Sequence, residues 1–104
     1  MMFLDDYQTR AAKYRTKETP DMERVLGLGE ESGEVLGLFK KALRGDNDPN
    51  FQIKVKKELG DTLWYLSQVA KDCGFTLQDV AMTNLQKLED RFQRGVLRGS
   101  GDDR

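Results

Sequence analysis

Apolar side chains recur every three or four positions along four stretches of the chain, at about residues 3–16, 20–44, 50–73 and 76–93. This spacing is typical of a helix with one face in a core. The turns between the stretches are short. The pattern therefore predicts an all-α fold, an antiparallel four-helix bundle formed by residues 1–93.

Capping residues mark the expected ends of these helices. Thr19 can cap the second helix with Pro20 at its first position, where a missing N–H costs nothing. Gly45 and Gly74 are placed to end the second and third helices. The sequence TLQD at 76–79 is typical of a capping box, with Asp in place of the usual Glu, and predicts the start of the fourth helix.

The apolar stripe of each long helix defines the expected core. A helix places residues three and four apart on one face, so each stripe is expected to pack against its neighbours. The predicted core positions of the second, third and fourth helices are Val25, Leu28, Val35, Phe39, Ala42, Leu43, Phe51, Val55, Leu59, Thr62, Leu66, Val69, Cys73, Leu77, Val80, Ala81, Leu85, Leu88 and Phe92.

Acidic residues lie beside two of these stripes. Glu31 and Glu34 project along one flank of the second helix, with Glu30 closer to solvent, and Glu58 and Asp61 repeat the arrangement on the third. Like charges at this spacing repel each other. A divalent cation would relieve the repulsion, and four carboxylates suit Mg²⁺ or Mn²⁺, which prefer oxygen ligands. A solvated acidic face is the alternative.

Composition excludes several classes of site. The chain has 104 residues and no histidine, which removes Ser-His-Asp and Cys-His catalysis and any imidazole zinc site. Its 17 basic and 18 acidic residues give a net charge of −1, so no binding of nucleic-acid polymers is expected. No apolar run reaches membrane-spanning length. The single cysteine, Cys73, fits a reducing cytoplasm, which is the expected location.

Two motifs resemble the signature of a known family. EESGE at 30–34 and ELGD at 58–61 resemble the E-E-x-x-E … E-x-x-D pattern of MazG-like nucleoside triphosphate pyrophosphohydrolases, members of the all-α NTP pyrophosphatase superfamily. The resemblance extends from YQTRAAKY in the first helix to NLQKLEDRF in the fourth. The sequence RGVLRGSGDDR at 94–104 is similar to the ends of small family members.

The resemblance implies hydrolysis of a (d)NTP between the α and β phosphates, giving (d)NMP and pyrophosphate, with Mg²⁺ or Mn²⁺ as cofactor. Its role would be house-cleaning or regulation of nucleotide pools. It places metal ligands at Glu31, Glu34, Glu58 and Asp61, and a supporting role at Glu30. Either Glu34 or Glu30 would accept the proton of the attacking water. Family members complete their sites and cores between subunits, which implies a homodimer or a dimer of dimers.

Further positions are expected to contact the substrate, each with a structural alternative. Tyr65 and Gln8 resemble family residues near the nucleotide, but core packing would also explain them. Lys87 and Arg91 can bind phosphate oxygens or form a solvated helix face. The glycine- and arginine-rich segment 94–104 is expected to be mobile and to order over a bound triphosphate. The complete set of expected substrate residues is Gln8, Tyr65, Asn84, Lys87, Arg91 and Arg98.

Two other functions fit the same pattern. One is a non-catalytic regulatory module that binds metal and nucleotide. The other is an oligomerisation bundle whose acids form a solvated face. Metal binding without turnover would indicate the first, and absence of metal binding the second.

Overall fold

The computed structural model describes residues 1–104 and contains helices but no strands. Helix α1 covers Leu4–Ala11 and continues as a single 3-10 turn at Ala12–Tyr14; α2 covers Asp21–Leu43, α3 Phe51–Asp72 and α4 Leu77–Gln93. The prediction of an all-α chain with four helices is therefore confirmed.

The helix starts follow local chemistry, with two differences from expectation. The first helix is shorter than predicted, because the chain becomes extended at Arg15. The cap of α2 is Pro20 rather than Thr19, since Pro20 itself has an extended ψ of 148°. At α4 the Thr76 hydroxyl accepts a hydrogen bond from the Asp79 N–H at 3.0 Å, as the capping sequence predicts.

Glycines with positive φ end the three long helices. Gly45, Gly74 and Gly95 have φ values of 97°, 85° and 72°, a conformation that glycine adopts without a steric penalty. After Gly74, the Phe75 N–H donates to the Ala70 carbonyl at 2.8 Å. Equivalent bonds follow the other two glycines. These closures use helix carbonyls that would otherwise lack a donor.

Helices α2 and α3 form an antiparallel hairpin. Near the connecting loop, the rings of Phe39 and Phe51 meet edge to face with centroids 5.1 Å apart. At the opposite end, Arg24 Nε donates to Asp72 Oδ2 at 2.6 Å. Because the two helices run in opposite directions, residues at the middle of α2 face residues at the middle of α3.

The buried core of the chain is small and largely polar. The buried apolar residues are only Ala11, Ala70 and Leu77. They lie where α1, the second half of α3 and the start of α4 meet. The Gln8 side chain joins these segments, since its Nε2 donates to the carbonyls of Ser67 and Phe75 and its Oε1 accepts from the Leu77 N–H. The other buried polar residues are Arg24, Ser67, Gln68 and Arg91.

The predicted apolar core does not close within one chain. Val25, Leu59, Leu85 and Phe92 are all exposed, Phe92 to 68%, and Cys73 is exposed as well. The reason is the position of α4, which packs against α1 and α3 rather than along α2. The apolar stripes of the hairpin and of α4 are therefore left uncovered in a single chain.

The dimensions of the chain agree with this open arrangement. Its accessible surface is 8173 Å², whereas a compact chain of this mass exposes about 6,000 Å². Its radius of gyration is 16.5 Å, against about 13 Å for a compact domain of this length. The surplus surface is what remains available for a partner.

Candidate functional site

Three carboxylates meet at the middle of the α2–α3 hairpin. Glu58 and Asp61 lie one turn apart on α3, and Glu31 approaches them from α2. One oxygen from each lies within 4.8 Å of the others. Antiparallel pairing of the two helices brings these positions together, so the motifs at 30–34 and 58–61 become one acidic cluster, which consists of Glu31, Glu58 and Asp61.

Burial and repulsion between carboxylates change the pKa of one member of this cluster. The pKa of Glu31 is raised, first because its carboxyl is partly buried and second because it shares a hydrogen bond with the Glu58 carboxyl. The negative charges of Asp61, Glu58 and Glu30 raise the Glu31 pKa further. Each effect disfavours the ionised form. A bound cation would instead favour the ionised form of Glu31.

The donor set of the cluster fits a hard divalent cation. It offers carboxylate oxygens from Glu31, Glu58 and Asp61, with no nitrogen or sulfur ligand. Three protein ligands would leave positions for water and phosphate, as Mg²⁺ sites usually do.

The two remaining acids of the signature lie outside this cluster. Glu34 is exposed on α2, one turn after Glu31. Glu30 is also exposed, and it acts on the cluster through its charge. The assignment of Glu34 as a fourth ligand, and of Glu34 or Glu30 as the base, stays a prediction.

Tyr65 packs directly against the backbone of α2. A Cβ added to Gly27 would lie 2.2 Å from Tyr65 Cε1, so the ring occupies space that only glycine leaves open. The Tyr65 ring also meets Trp64 edge to face at 5.0 Å. Tyr65 therefore helps to hold the two helices together, one turn beyond Asp61. Its expected contact with substrate stays a prediction.

A cavity of about 450 Å³ adjoins the hairpin on the side of α1. Trp64 forms one wall, and its indole N–H donates to the Ala11 carbonyl at 3.1 Å. Tyr7 also lines the cavity, and its pKa is raised first by burial and then by the charge of Asp61. The lining residues are Met2, Tyr7, Arg10, Ala11, Lys13, Tyr14 and Trp64.

This cavity was not predicted from the sequence. None of its lining residues belongs to the set of substrate residues expected from the sequence. The signal that could have revealed it is the placement of Arg10 and Lys13 among aromatic residues on one short helix. Aromatic and cationic side chains together suit a flat base and an anionic phosphate.

Two of the expected substrate residues, Gln8 and Asn84, lie outside the cavity and the acidic cluster. All polar groups of the Gln8 amide are engaged in the bonds that join α1, α3 and α4. These bonds give Gln8 a structural role, and its expected contact with substrate stays a prediction. Asn84 projects into the apolar arc of α4, yet it is exposed because nothing covers that arc in one chain.

Lys87 and Arg91 are paired with an acid of the 94–104 segment. Asp102 accepts hydrogen bonds from both side chains. The segment, which the sequence predicts to be mobile, folds back against α4, and Arg104 donates to the carbonyls of Val96 and Leu97 at 3.0 Å. Arg98 is exposed.

None of the four helices combines the length and the hydropathy that a bilayer span requires. This finding agrees with the absence of a long apolar run in the sequence.

Comparisons with known proteins bear on the same residues. The model of the MazG nucleotide pyrophosphohydrolase domain family matches residues 22–96, a span that holds the whole acidic cluster. The gene 37 protein of Mycobacterium phage L5 is 40% identical over 83 residues, which cover 77% of this chain and 73% of that protein. No solved structure matches the chain.

Proposed function

Because the chain belongs to the MazG nucleotide pyrophosphohydrolase family, we propose that it hydrolyses a nucleoside triphosphate between the α and β phosphates. The products would be a (d)NMP and pyrophosphate, and the role house-cleaning or regulation of nucleotide pools. The observation that carries the proposal is the convergence of Glu31, Glu58 and Asp61 from the two signature motifs.

The acidic cluster would hold Mg²⁺, or Mn²⁺ in its place, with Glu34 as a further ligand. A triphosphate is itself anionic, so carboxylates alone would repel it. When bound, the ion supplies charge neutralisation at the phosphates and lowers the pKa of water. The chain's own contribution is to fix the carboxylates on two rigid helices that face each other.

A glutamate outside the cluster would accept the proton of the attacking water. Glu34 and Glu30 are exposed on the turn of α2 that carries Glu31. Neither takes part in the close contact among the three clustered acids. A carboxylate that is not fully engaged with the metal, Glu30 or a loosely held Glu34, can accept that proton.

The aromatic and cationic cavity supports a place for the nucleoside. Its volume of about 450 Å³ lies within the usual range for small-molecule sites. The charge of Asp61 acts on Tyr7, which lines the cavity, and this supports a placement with the base in the cavity and the phosphates towards the acidic cluster. Phosphate contacts are proposed for Lys87, Arg91 and Arg98, and supporting contacts for Tyr65 and Asn84.

A second copy of the chain would cover the exposed apolar stripes. The surface exceeds that of a compact chain by about 2,000 Å², an amount that an obligate dimer interface commonly buries from each subunit. We propose a homodimer or a dimer of dimers in which α4 of one chain covers the hairpin of another.

A product assay tests the proposed reaction. Canonical and damaged (d)NTPs are incubated with protein and Mg²⁺, and pyrophosphate, orthophosphate and nucleotides are quantified. We expect pyrophosphate and a monophosphate in equal amounts, with no turnover in EDTA. Orthophosphate with a diphosphate as the primary products would refute the assignment. Mn²⁺ binding without any turnover would instead support a regulatory module.

A further inference from the structure

The side chains of Lys87 and Arg91 converge on a single carboxylate. Lys87 Nζ lies 2.6 Å from Asp102 Oδ1, and Arg91 Nη2 lies 2.9 Å from the same oxygen. Arg91 Nη2 also donates to the Asp102 backbone carbonyl at 2.8 Å. Two cations one turn apart on α4 are thus neutralised by one acid of the 94–104 segment.

The two sides of this contact differ in how firmly the chain holds them. Arg91 is 6% exposed, so its guanidinium has a fixed place at the end of α4. The Asp102 side chain is 78% exposed, and its pair with the half-exposed Lys87 is of the surface kind that contributes little to stability. The cations are therefore built into the fold, whereas the anion lies on a solvent-exposed loop.

Asp102 fills only part of the hydrogen-bonding capacity of Arg91. The buried Nε of Arg91 has no acceptor, although it lies on the same edge of the guanidinium as Nη2. This edge normally binds two oxygens of one carboxylate or phosphate. A buried donor without an acceptor is costly and needs an explanation. A second oxygen from a different ligand would supply the missing acceptor.

The loop that carries Asp102 is closed mainly on itself. Glycines at 95 and 101 have positive φ, and the Arg104 side chain lies against Gly99. Arg104 also donates to the carbonyls of Val96 and Leu97. The loop can therefore leave α4 as a unit without breaking the helix.

We propose that Asp102 acts as an internal competitor, which occupies the phosphate site of Lys87 and Arg91 in the free protein until a polyphosphate displaces it. A polyphosphate offers more negative charge and more oxygens than one carboxylate, so it can bind both Arg91 donors and Lys87 together. The phosphate role of Lys87 and Arg91, and the origin of the ligand as substrate triphosphate or released pyrophosphate, rest on the proposed function.

Metal-free calorimetry tests the proposal. Inorganic tripolyphosphate and pyrophosphate are titrated in EDTA into the full chain and its variants, so the acidic cluster contributes no metal-dependent binding. We expect Asp102→Asn to bind about two- to fivefold more tightly, which is the effect of removing one exposed ion-pair competitor. Lys87→Gln should bind more weakly. The stronger of the two ligands identifies the source.

Asp103→Asn is the matched control, because Asp103 is the exposed neighbour on the same loop. It removes the same charge without touching Lys87 or Arg91 and should bind like the unmodified chain. Equal affinities for Asp102→Asn and the unmodified chain would overturn the proposal. An equal gain in Asp103→Asn would also overturn it, because general charge would then explain the effect.

Loop mobility gives a second readout. Amide ¹⁵N relaxation of Gly99 and Gly101 should show an ordered loop in the free chain, and a mobile one at saturating polyphosphate or in Asp102→Asn. A loop that stays ordered with ligand bound would contradict displacement. Absence of nucleotide turnover with these effects intact would refute the proposed function alone. Normal nucleotide turnover, without the expected changes in affinity and loop mobility, would refute this inference alone.

Discussion

At the level of single residues, three carboxylates converge at one place, where the surroundings disfavour the charge of Glu31. Glu31 faces Glu58 and Asp61 within 4.8 Å, and burial raises its pKa. In a purely structural role, this arrangement would cost stability without return. Its presence in a chain of this family is explained if a cation binds there.

Removing one charge from this region should abolish activity and spare the fold. We expect Glu34→Gln, Glu58→Gln and Asp61→Asn each to lower turnover at least ~100-fold, because each removes charge that would hold the ion. Melting temperature without metal should be unchanged or higher, since repulsion falls. Glu23→Gln, an exposed acid of α2, is the control. Variants that lose helicity but keep activity would show that these residues are structural.

The raised pKa of Glu31 predicts how stability without metal depends on pH. The folded chain holds the carboxyl proton of Glu31 more tightly than the unfolded chain does. The protonated carboxyl therefore stabilises the fold, and this contribution to stability is fully present below the ordinary pKa of 4.5. It is lost as pH rises through the folded pKa. When melting temperature is measured in EDTA between about pH 4 and about pH 8, it should therefore decrease less with rising pH in Glu31→Gln than in the unmodified chain. Identical pH profiles for the two would contradict this electrostatic explanation.

At the level of the helices, the hairpin depends on contacts at its middle and its open end. At the open end, Asp72 accepts hydrogen bonds from Arg24 and Arg15, and the two arginines keep the pKa of Asp72 below its ordinary value. In the middle, the Tyr65 ring lies against Gly27. These contacts set the register that brings Glu31 opposite Glu58.

Loss of the Asp72 charge should destabilise the hairpin. Arg24 is 4% exposed, so Asp72→Asn would leave a buried guanidinium with only the exposed carboxylate of Asp21 as its anion, at a cost of about 3 kcal/mol. Urea unfolding measures this difference, and Asp46→Asn at an exposed loop position is the control. Equal unfolding midpoints for the two variants would show that the ion pair does not stabilise the hairpin.

Two glycines of α2 should respond in opposite ways to alanine. Gly27→Ala would push against the Tyr65 ring and destabilise the chain by about 1–3 kcal/mol. Gly29→Ala meets open space and should stabilise the helix by about 0.5–1 kcal/mol. Chemical unfolding of the pair provides the comparison. A stabilising Gly27→Ala would contradict the close approach of Tyr65.

The helices were predictable from local signals, but their packing was not. Pro20, Gly45, Gly74 and Thr76 fix the ends of the elements through backbone geometry and capping, which depend on adjacent residues. The acidic cluster was also predictable, because spacing places each pair of acids on one helix flank. The buried polar residue Gln8 was not, because its bonds join segments distant in the sequence.

At the level of the whole molecule, the proposed homodimer would explain the exposed apolar stripes. We expect light scattering after size exclusion to give a mass at least twice 11.9 kDa. Leu85→Glu on the uncovered face of α4 should dissociate the assembly, since it places a charge in the interface. Gln86→Glu beside it is the control. A monomeric unmodified chain at micromolar concentration would contradict the proposed homodimer.

The central claim is that the acidic cluster directs water to the α-phosphate of a nucleotide. Hydrolysis in ¹⁸O-labelled water tests it most directly, with the products separated and weighed by mass spectrometry. The proposal predicts label in the nucleoside monophosphate, unlabelled pyrophosphate, and loss of both products in Glu58→Gln. Label in pyrophosphate, formation of a diphosphate with orthophosphate, or unchanged turnover in Glu58→Gln would contradict it.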